Sequence, residues 1–259
     1  MALQLVMVQF AQLKKQAPAK RPLKTLDRVL SKAGLASRTE AERLIQSGRV
    51  RVNGAVVRDV EHWVDLESDR ISVDGKALSK KKRIYLVLYK PTGYVTTRVD
   101  PDGRPTVYDL LLDVKQWVFP VGRLDQDTSG LLLLTNDAQL AERITNPDFK
   151  VPKTYLVKVV PRFSDEQLDQ LRNGVMLKDG PTRPAQVTRT RDSGNHTFFE
   201  ITLTEGRNRQ VRRMVEAAGG KTLKLVRIAI GSIRIANLPI GKYRELSEEE
   251  VRGLQKRRG

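Results

Sequence analysis

Asp125 sits in Gly122-Arg123-Leu124-Asp125-Gln126-Asp127-Thr128-Ser129-Gly130, and the apolar run Leu131 to Leu134 follows at once. A carboxylate just ahead of a glycine and a strand that reads as buried is a reactive group on a rigid base. Ionised, it can act as a nucleophile or as a general base. Asp127, two positions on, reads as a structural hydrogen-bonding residue. A second dense stretch is Glu205-Gly206-Arg207-Asn208-Arg209-Gln210-Val211-Arg212-Arg213-Met214. Its arginines Arg207, Arg209 and Arg213 suit a phosphate backbone. Other chemistries are excluded. There is no cysteine, so disulfides, zinc ribbons and thiol nucleophiles are out, and a reducing compartment is permitted. The histidines His62 and His196 lie far apart, whereas metal sites use close spacing, so no metal is expected.

The chain has 259 residues, 39% hydrophobic and 30% charged, with a formal net charge of +17. That is enough chain for one large or two modest domains. The charge asks for a polyanionic partner, and nucleic acid is the first candidate. The apolar stretch Leu3 to Leu13 is too short to span a bilayer, and Lys14 and Lys15 follow it rather than precede it, the wrong order for a signal peptide. No membrane association and a cytoplasmic location are expected, with residues 1–23 a tail and linker.

The elements that position these residues fall into two groups. From Lys24, Leu26, Val29 and Leu30 recur at helical spacing, and Gly34 can end the helix. Ser37 to Glu40 has a capping-box pattern opening a second helix that turns Ala41, Leu44 and Ile45 inward. Val50 to Val57 reads as a hairpin about Asn53-Gly54, and Ile71 to Gly75 repeats the strand and turn. Residues 24–79 form a small module, 80–83 a basic linker and 84–259 a larger domain. There, strands are expected at Ile84 to Tyr89, Val95 to Thr97, Leu131 to Thr135, Thr154 to Val160, Phe198 to Thr204 and Leu223 to Ile235. Helices are expected at Val107 to Leu112, Ala138 to Ile144 (capped by Asn136 or Asp137), Ser164 to Leu171, from the Glu205 run to Gly219-Gly220, and from Ser247. Strands outnumber helices without alternating with them, which argues for an α+β fold on a mostly antiparallel mixed sheet.

Residues 24–79 resemble the RNA-binding module first known from ribosomal protein S-four, through Gly34-Leu35-Ala36-Ser37-Arg38, Ala41-Glu42-Arg43-Leu44-Ile45 and Gly48 to Gly54. On that likeness, Arg38, Arg43, Arg49 and Arg51 line an RNA-binding surface; a merely solvated face is the plainer alternative. The larger domain resembles the pseudouridine synthases that modify ribosomal RNA. The likeness rests on Gly122 to Asp125 with Thr128-Ser129-Gly130, on Lys153-Thr154-Tyr155, and on Glu205 to Met214 followed by Leu225-Val226-Arg227-Ile228. It is closest to the large-subunit enzymes.

The resemblance implies isomerisation of a uridine in ribosomal RNA. The glycosidic bond breaks, the base turns, and it rejoins through carbon. No redox change occurs, and the absence of a phosphate loop or dinucleotide fingerprint agrees with that, so no cofactor is expected. Asp125 takes the catalytic carboxylate's position, attacking C1′ or abstracting a sugar proton. Arg212 is the cation expected to reach Asp125, with a phosphate contact as its alternative. Tyr155 matches the pocket tyrosine that stacks on the flipped base, with a core position as its alternative. Arg123 and Lys153 are expected on RNA. The partner is ribosomal RNA, with pre-ribosomal particles as a further form of it, and a monomer is expected. A small-subunit enzyme, a non-catalytic ribosome-assembly factor and a glycosidic hydrolase are the competing readings. A hydrolase would ask for a second catalytic acid, which no motif here supplies.

Overall fold

A computed structural model describes residues 23–65, 68–78 and 82–255. Residues 1–22 of the expected tail (Leu3 to Leu13 included) and residues 80 and 81 of the basic linker lie outside these. The chain divides into two compact units, Met1–Lys80 and Lys81–Gly259.

The first unit carries β1 (Lys24–Thr25), α1 (Leu26–Lys32), α2 (Arg38–Gln46), β2 (Val50–Val52), β3 (Ala55–Val56), β4 (Trp63–Val64), β5 (Ile71–Val73) and β6 (Lys76–Ala77). Ser37 caps α2 by accepting from the Glu40 N–H at 3.2 Å. Strands β3-β2-β5-β6 form one antiparallel sheet. Leu26, Val29, Leu30, Ala41 and Ile45 pack on Val50, Val52, Ile71 and Val73, all buried. These are the helical stripes and alternating strand positions that the sequence pattern marks.

The second unit carries β7 (Tyr85–Lys90), β8 (Phe119–Pro120), β9 (Ser129–Thr135), α3 (Ala138–Thr145), β10 (Lys153–Val160), α4 (Asp165–Asn173), β11 (Met176–Leu177), β12 (Gly180–Pro181), β13 (Gln186–Ser193), β14 (His196–Leu203), α5 (Gln210–Ala217), β15 (Lys221–Ile230), β16 (Ile233–Arg234), β17 (Tyr243–Glu245) and α6 (Glu248–Gln255). Its main sheet runs β13-β14-β10-β15-β9-β7-β17, with β8 and β16 paired off the path. The pairs are antiparallel apart from β15 with β9. The α+β class and the mostly antiparallel mixed sheet are therefore as the sequence predicts. Asp137, rather than Asn136, caps α3, accepting from the Gln139 and Leu140 N–H groups. Asn136 instead ties Ile84 and Lys82 to the end of β9.

Three local expectations change. Val95 to Thr97 form no strand beyond a bridge from Val95 to Thr106. The Thr96 hydroxyl donates to Leu124 O at 2.7 Å and accepts from Leu124 N–H at 3.2 Å, so a side chain replaces a ladder. Val107 to Leu112 shortens to a 3-10 turn over Val107–Leu110. β13 escapes the sequence pattern because it is a polar edge strand whose one buried position is Val187.

One core layer joins Val157, Val159, Phe199, Ile201 and Leu225 to α4 and α5. Another packs Leu131, Leu133 and Ile230 against α3 and Leu254 of α6, and a third buries Leu86, Leu88, Leu132 and Leu134 beneath the 3-10 turn. Among the described residues, no helix is long and apolar enough to cross a membrane.

Candidate active site

Asp125 lies on the loop that feeds β9, and this loop is clamped from several directions. Lys90, at the end of β7, is fully buried. Its ammonium donates to the carbonyls of Pro91 (3.0 Å), Asp125 (3.0 Å) and Thr128 (2.8 Å). Thr96 holds Leu124 as described above. Gly93 N–H donates to Gln126 O at 2.8 Å, and the Gln126 amide returns a bond to Gly93 O at 3.2 Å. Burial pushes the Lys90 ammonium down to about 8; the charges of Asp125 and Asp127 oppose that push and Arg227 adds to it. A lysine ahead of a proline reads as part of a turn in sequence, and nothing local betrays its burial.

Gly130 is where backbone freedom matters. Its φ is +117°, and it pairs in parallel with Arg227. A Cβ there would be driven into the Arg227 main chain. The glycine in the motif therefore permits the one parallel contact of the sheet, and with it the approach of β15 to the Asp125 loop.

The loop forms one wall of a cavity of about 330 Å³. Asp125, Arg123 and Thr128 line it from the loop, Lys153 and Tyr155 from β10, Arg207 and Arg209 from the segment before α5, and Arg227 from β15. Six candidate side chains from the sequence thus meet, joined by Thr128 and Arg227, which the motifs contain without a role. Tyr155 sits at a register irregularity opposite Arg227 and packs against two core layers. Arg227 is buried; its Nε donates to Leu131 O at 2.7 Å, while Nη2 has no hydrogen-bond partner. Burial, with Arg227 nearby, pushes Lys153 down to about 8. Lys153 donates to Val151 O at 3.2 Å.

The arginines of the Glu205 segment divide their tasks differently from the sequence expectation. Arg212 does not pair with Asp125. Its Nη2 donates to Asp127 O at 2.9 Å and lies 3.2 Å from the Asp127 carboxylate. The reason is its place in the first turn of α5, which faces the Asp127 end of the loop. Arg209 is the cation beside Asp125, at 3.7 Å, and it also donates to both Asp127 oxygens at 3.1 Å. Arg209 holds a left-handed backbone (φ 45°) as the residue capping α5, a strained setting for a side chain with a Cβ. Burial pushes the Asp127 carboxyl up, but the Arg209 hydrogen bond and the Arg212 and Arg209 charges outweigh it and hold it below the usual range. Arg207 donates to the carbonyls of Asp179, Gly180 and Pro181, and Arg213 pairs with Asp179 at 2.8 Å. Both tie the β11–β12 hairpin to this segment.

In the first unit, Arg38 pairs with buried Asp27 at 2.6 Å and Arg49 forks onto Asp74. Arg51 donates to Gly54 O at 3.0 Å. Arg43 is exposed on α2. Among the described residues no group of acidic or histidine side chains could hold a metal ion.

Clamped carboxylate, aromatic wall and buried cations in one cleft agree with a model of the RNA pseudouridylate synthase family, which matches residues 84–217. The chain belongs to that family. It is an isomerase, a pseudouridine synthase that acts on RNA, and residues 24–71 match the S4 domain. It is 44% identical over 232 residues to a protein of Aquifex aeolicus (strain VF5) described as an uncharacterized RNA pseudouridine synthase, covering 89% of this chain and 93% of that one. It is 40% identical over 235 residues to the ribosomal large subunit pseudouridine synthase B of Bacillus subtilis (strain 168), covering 90% and 96%. A solved structure described as a pseudouridylate synthase superposes with a TM-score of 0.64 at 32% identity, covering 89% of this chain and 99% of that one.

Proposed function

We propose that this synthase converts a uridine of large-subunit ribosomal RNA to pseudouridine, and that Asp125 carries the reaction. The observation that carries the reading is the clamped Asp125 loop at the wall of a cavity of about 330 Å³, a size suited to one flipped nucleotide. The large-subunit assignment draws support from relatives such as the Bacillus subtilis protein.

The chain's groups divide the work by position. The Asp125 carboxylate attacks C1′ or removes a sugar proton, either of which breaks the N1–C1′ bond and frees uracil from the sugar. The base turns against the Tyr155 ring, and C5 bonds to C1′ as the carboxylate is displaced or the sugar proton is returned; C5 then loses its proton and N1 takes one up, so the product is an isomer of the substrate. Arg209 steadies the charge on Asp125. Arg227 and Lys153 offer cations to the electron-rich uracil or to flanking phosphates. Arg212 acts on the loop through Asp127. Arg123 faces the RNA from the exposed side of the loop.

The test is chemical mapping of pseudouridine in large- and small-subunit RNA after incubation with wild type or Asp125→Asn. Pseudouridine in large-subunit RNA from wild type alone is the expected result. Activity in the variant would remove Asp125 from its role. Modification confined to small-subunit RNA would overturn the substrate assignment, and release of free uracil would indicate hydrolysis.

A further inference from the structure

The face of the main sheet that carries α4 and α5 is closed over β10, β14 and β13. The other face of these strands is open: along β14, buried Thr197, Phe199, Ile201 and Leu203 alternate with half-exposed His196, Phe198, Glu200 and Thr202. Register places four side chains in one row across the open face. Arg191 of β13 lies opposite Phe198 of β14, Phe198 opposite Lys158 of β10, and Lys158 opposite Lys224 of β15. Both neighbours stand over the aromatic ring, the Arg191 guanidinium at 4.0 Å and the Lys158 ammonium at 5.5 Å from its centroid.

Three cations in a row beside an aromatic ring repel one another, and ordinary surfaces offset such a row with carboxylates. Here none of Lys158, Arg191 and Lys224 has an ion-pair partner among the described residues. The nearest acid in register is Glu200, one row along toward the cleft end of the strands. A polyanion would therefore follow the cationic row across the strands and avoid Glu200. We infer that this open sheet face is a second RNA-binding surface, on which an unpaired nucleotide stacks against Phe198 while Lys158, Arg191 and Lys224 hold the flanking phosphates. The inference rests on RNA being the substrate, and assigns to the sheet's back a grip separate from the cleft. An aromatic among cations suits unpaired nucleotides because every base offers a π face, whereas an acidic protein surface would have no use for the half-exposed ring.

The experiment uses the full chain, a thiouridine-substituted single-stranded oligoribonucleotide as photo-crosslinking probe, and a ribosomal RNA fragment for binding over a range of salt. Wild type should cross-link through the β14 peptide as well as the cleft. Phe198→Leu, which keeps apolar bulk, should lose the β14 cross-link alone. Lys158→Gln/Arg191→Gln/Lys224→Gln should flatten the log–log salt slope by about 2, since each single-strand phosphate contact contributes about 0.7. Its affinity should fall on the order of tenfold, with turnover on a short stem-loop unchanged. Lys224→Glu, at an exposed position, repeats the binding test with no packed side chain disturbed. Unchanged affinity and slope in both variants, with cross-links confined to the cleft, would overturn the inference. Pseudouridine formation by the same wild-type sample reads the proposed function separately: back-face binding can hold without it, and modification can proceed with the back face silent.

Discussion

Lys90→Met removes the ammonium that holds the Asp125 loop while keeping the length of the side chain. Three carbonyls lose a donor, but Asp125 O still accepts from Thr128 N–H at 3.1 Å, so two bear most of the loss. An unmet buried acceptor costs about 1–3 kcal/mol, so the loss is about 2–6 kcal/mol. Against it stands relief of the buried charge. The fall of Lys90 from 10.5 to about 8 corresponds to about 3 kcal/mol. The two nearly offset, so the melting temperature should move little in either direction. Catalysis has no such offset, because a carboxylate displaced by about 1 Å costs on the order of a hundredfold. Single-turnover assays should show kcat reduced by about that factor with RNA affinity kept. A variant with wild-type turnover would refute the clamp. The same group sets a pH dependence. As pH rises through about 8, Lys90 loses its proton and the clamp slackens, so activity should fall on the alkaline side. The unfolded chain keeps that proton to about 10.5, so between these values the unfolded state binds more protons and this group favours the fold as pH rises. Lys153, also pushed down to about 8, acts in the same direction. Activity that declines while the melting temperature holds would separate loop release from unfolding; parallel decline of both would refute the assignment.

Gly130→Ala should destabilise the second unit by more than about 3 kcal/mol, since its Cβ meets rigid backbone rather than a side chain that can turn; a denaturant midpoint near wild type would contradict this. Asp127→Asn should free Arg209 to swing toward Asp125 and loosen Arg212, lowering kcat about tenfold with the melting temperature nearly kept. Unchanged kinetics would mean that Asp127 does not set either guanidinium.

How much of this was legible in the chain depends on how local the signal is. The Asp125 loop reads directly, because glycine, carboxylate and a run of leucines are adjacent. The helices of the first unit read through their caps and apolar stripes. Lys90 does not, because its burial is created by strands that arrive from later in the chain. β13 is also hidden: as an edge strand it has one face in water and no partner beyond, so polar side chains fill it. The family likeness points Arg212 at Asp125, whereas the first turn of α5 presents it to Asp127. Arg227 stood in the motif, but its unpartnered nitrogen becomes visible only once β15 lies between β9 and β10.

That central position of β15 also has a meaning in chain order. Asp125 stands on the loop ahead of β9 and Tyr155 on β10, and the two strands are joined through β15, which follows some seventy residues after Tyr155. Two strand spacings, roughly 10 Å, separate β9 from β10. β15 is thus the strand that joins the β7–β9 pair to the β10–β14 pair, and it comes last of the five in chain order. Asp125 and Tyr155 therefore line one cavity only once β15 lies between their strands.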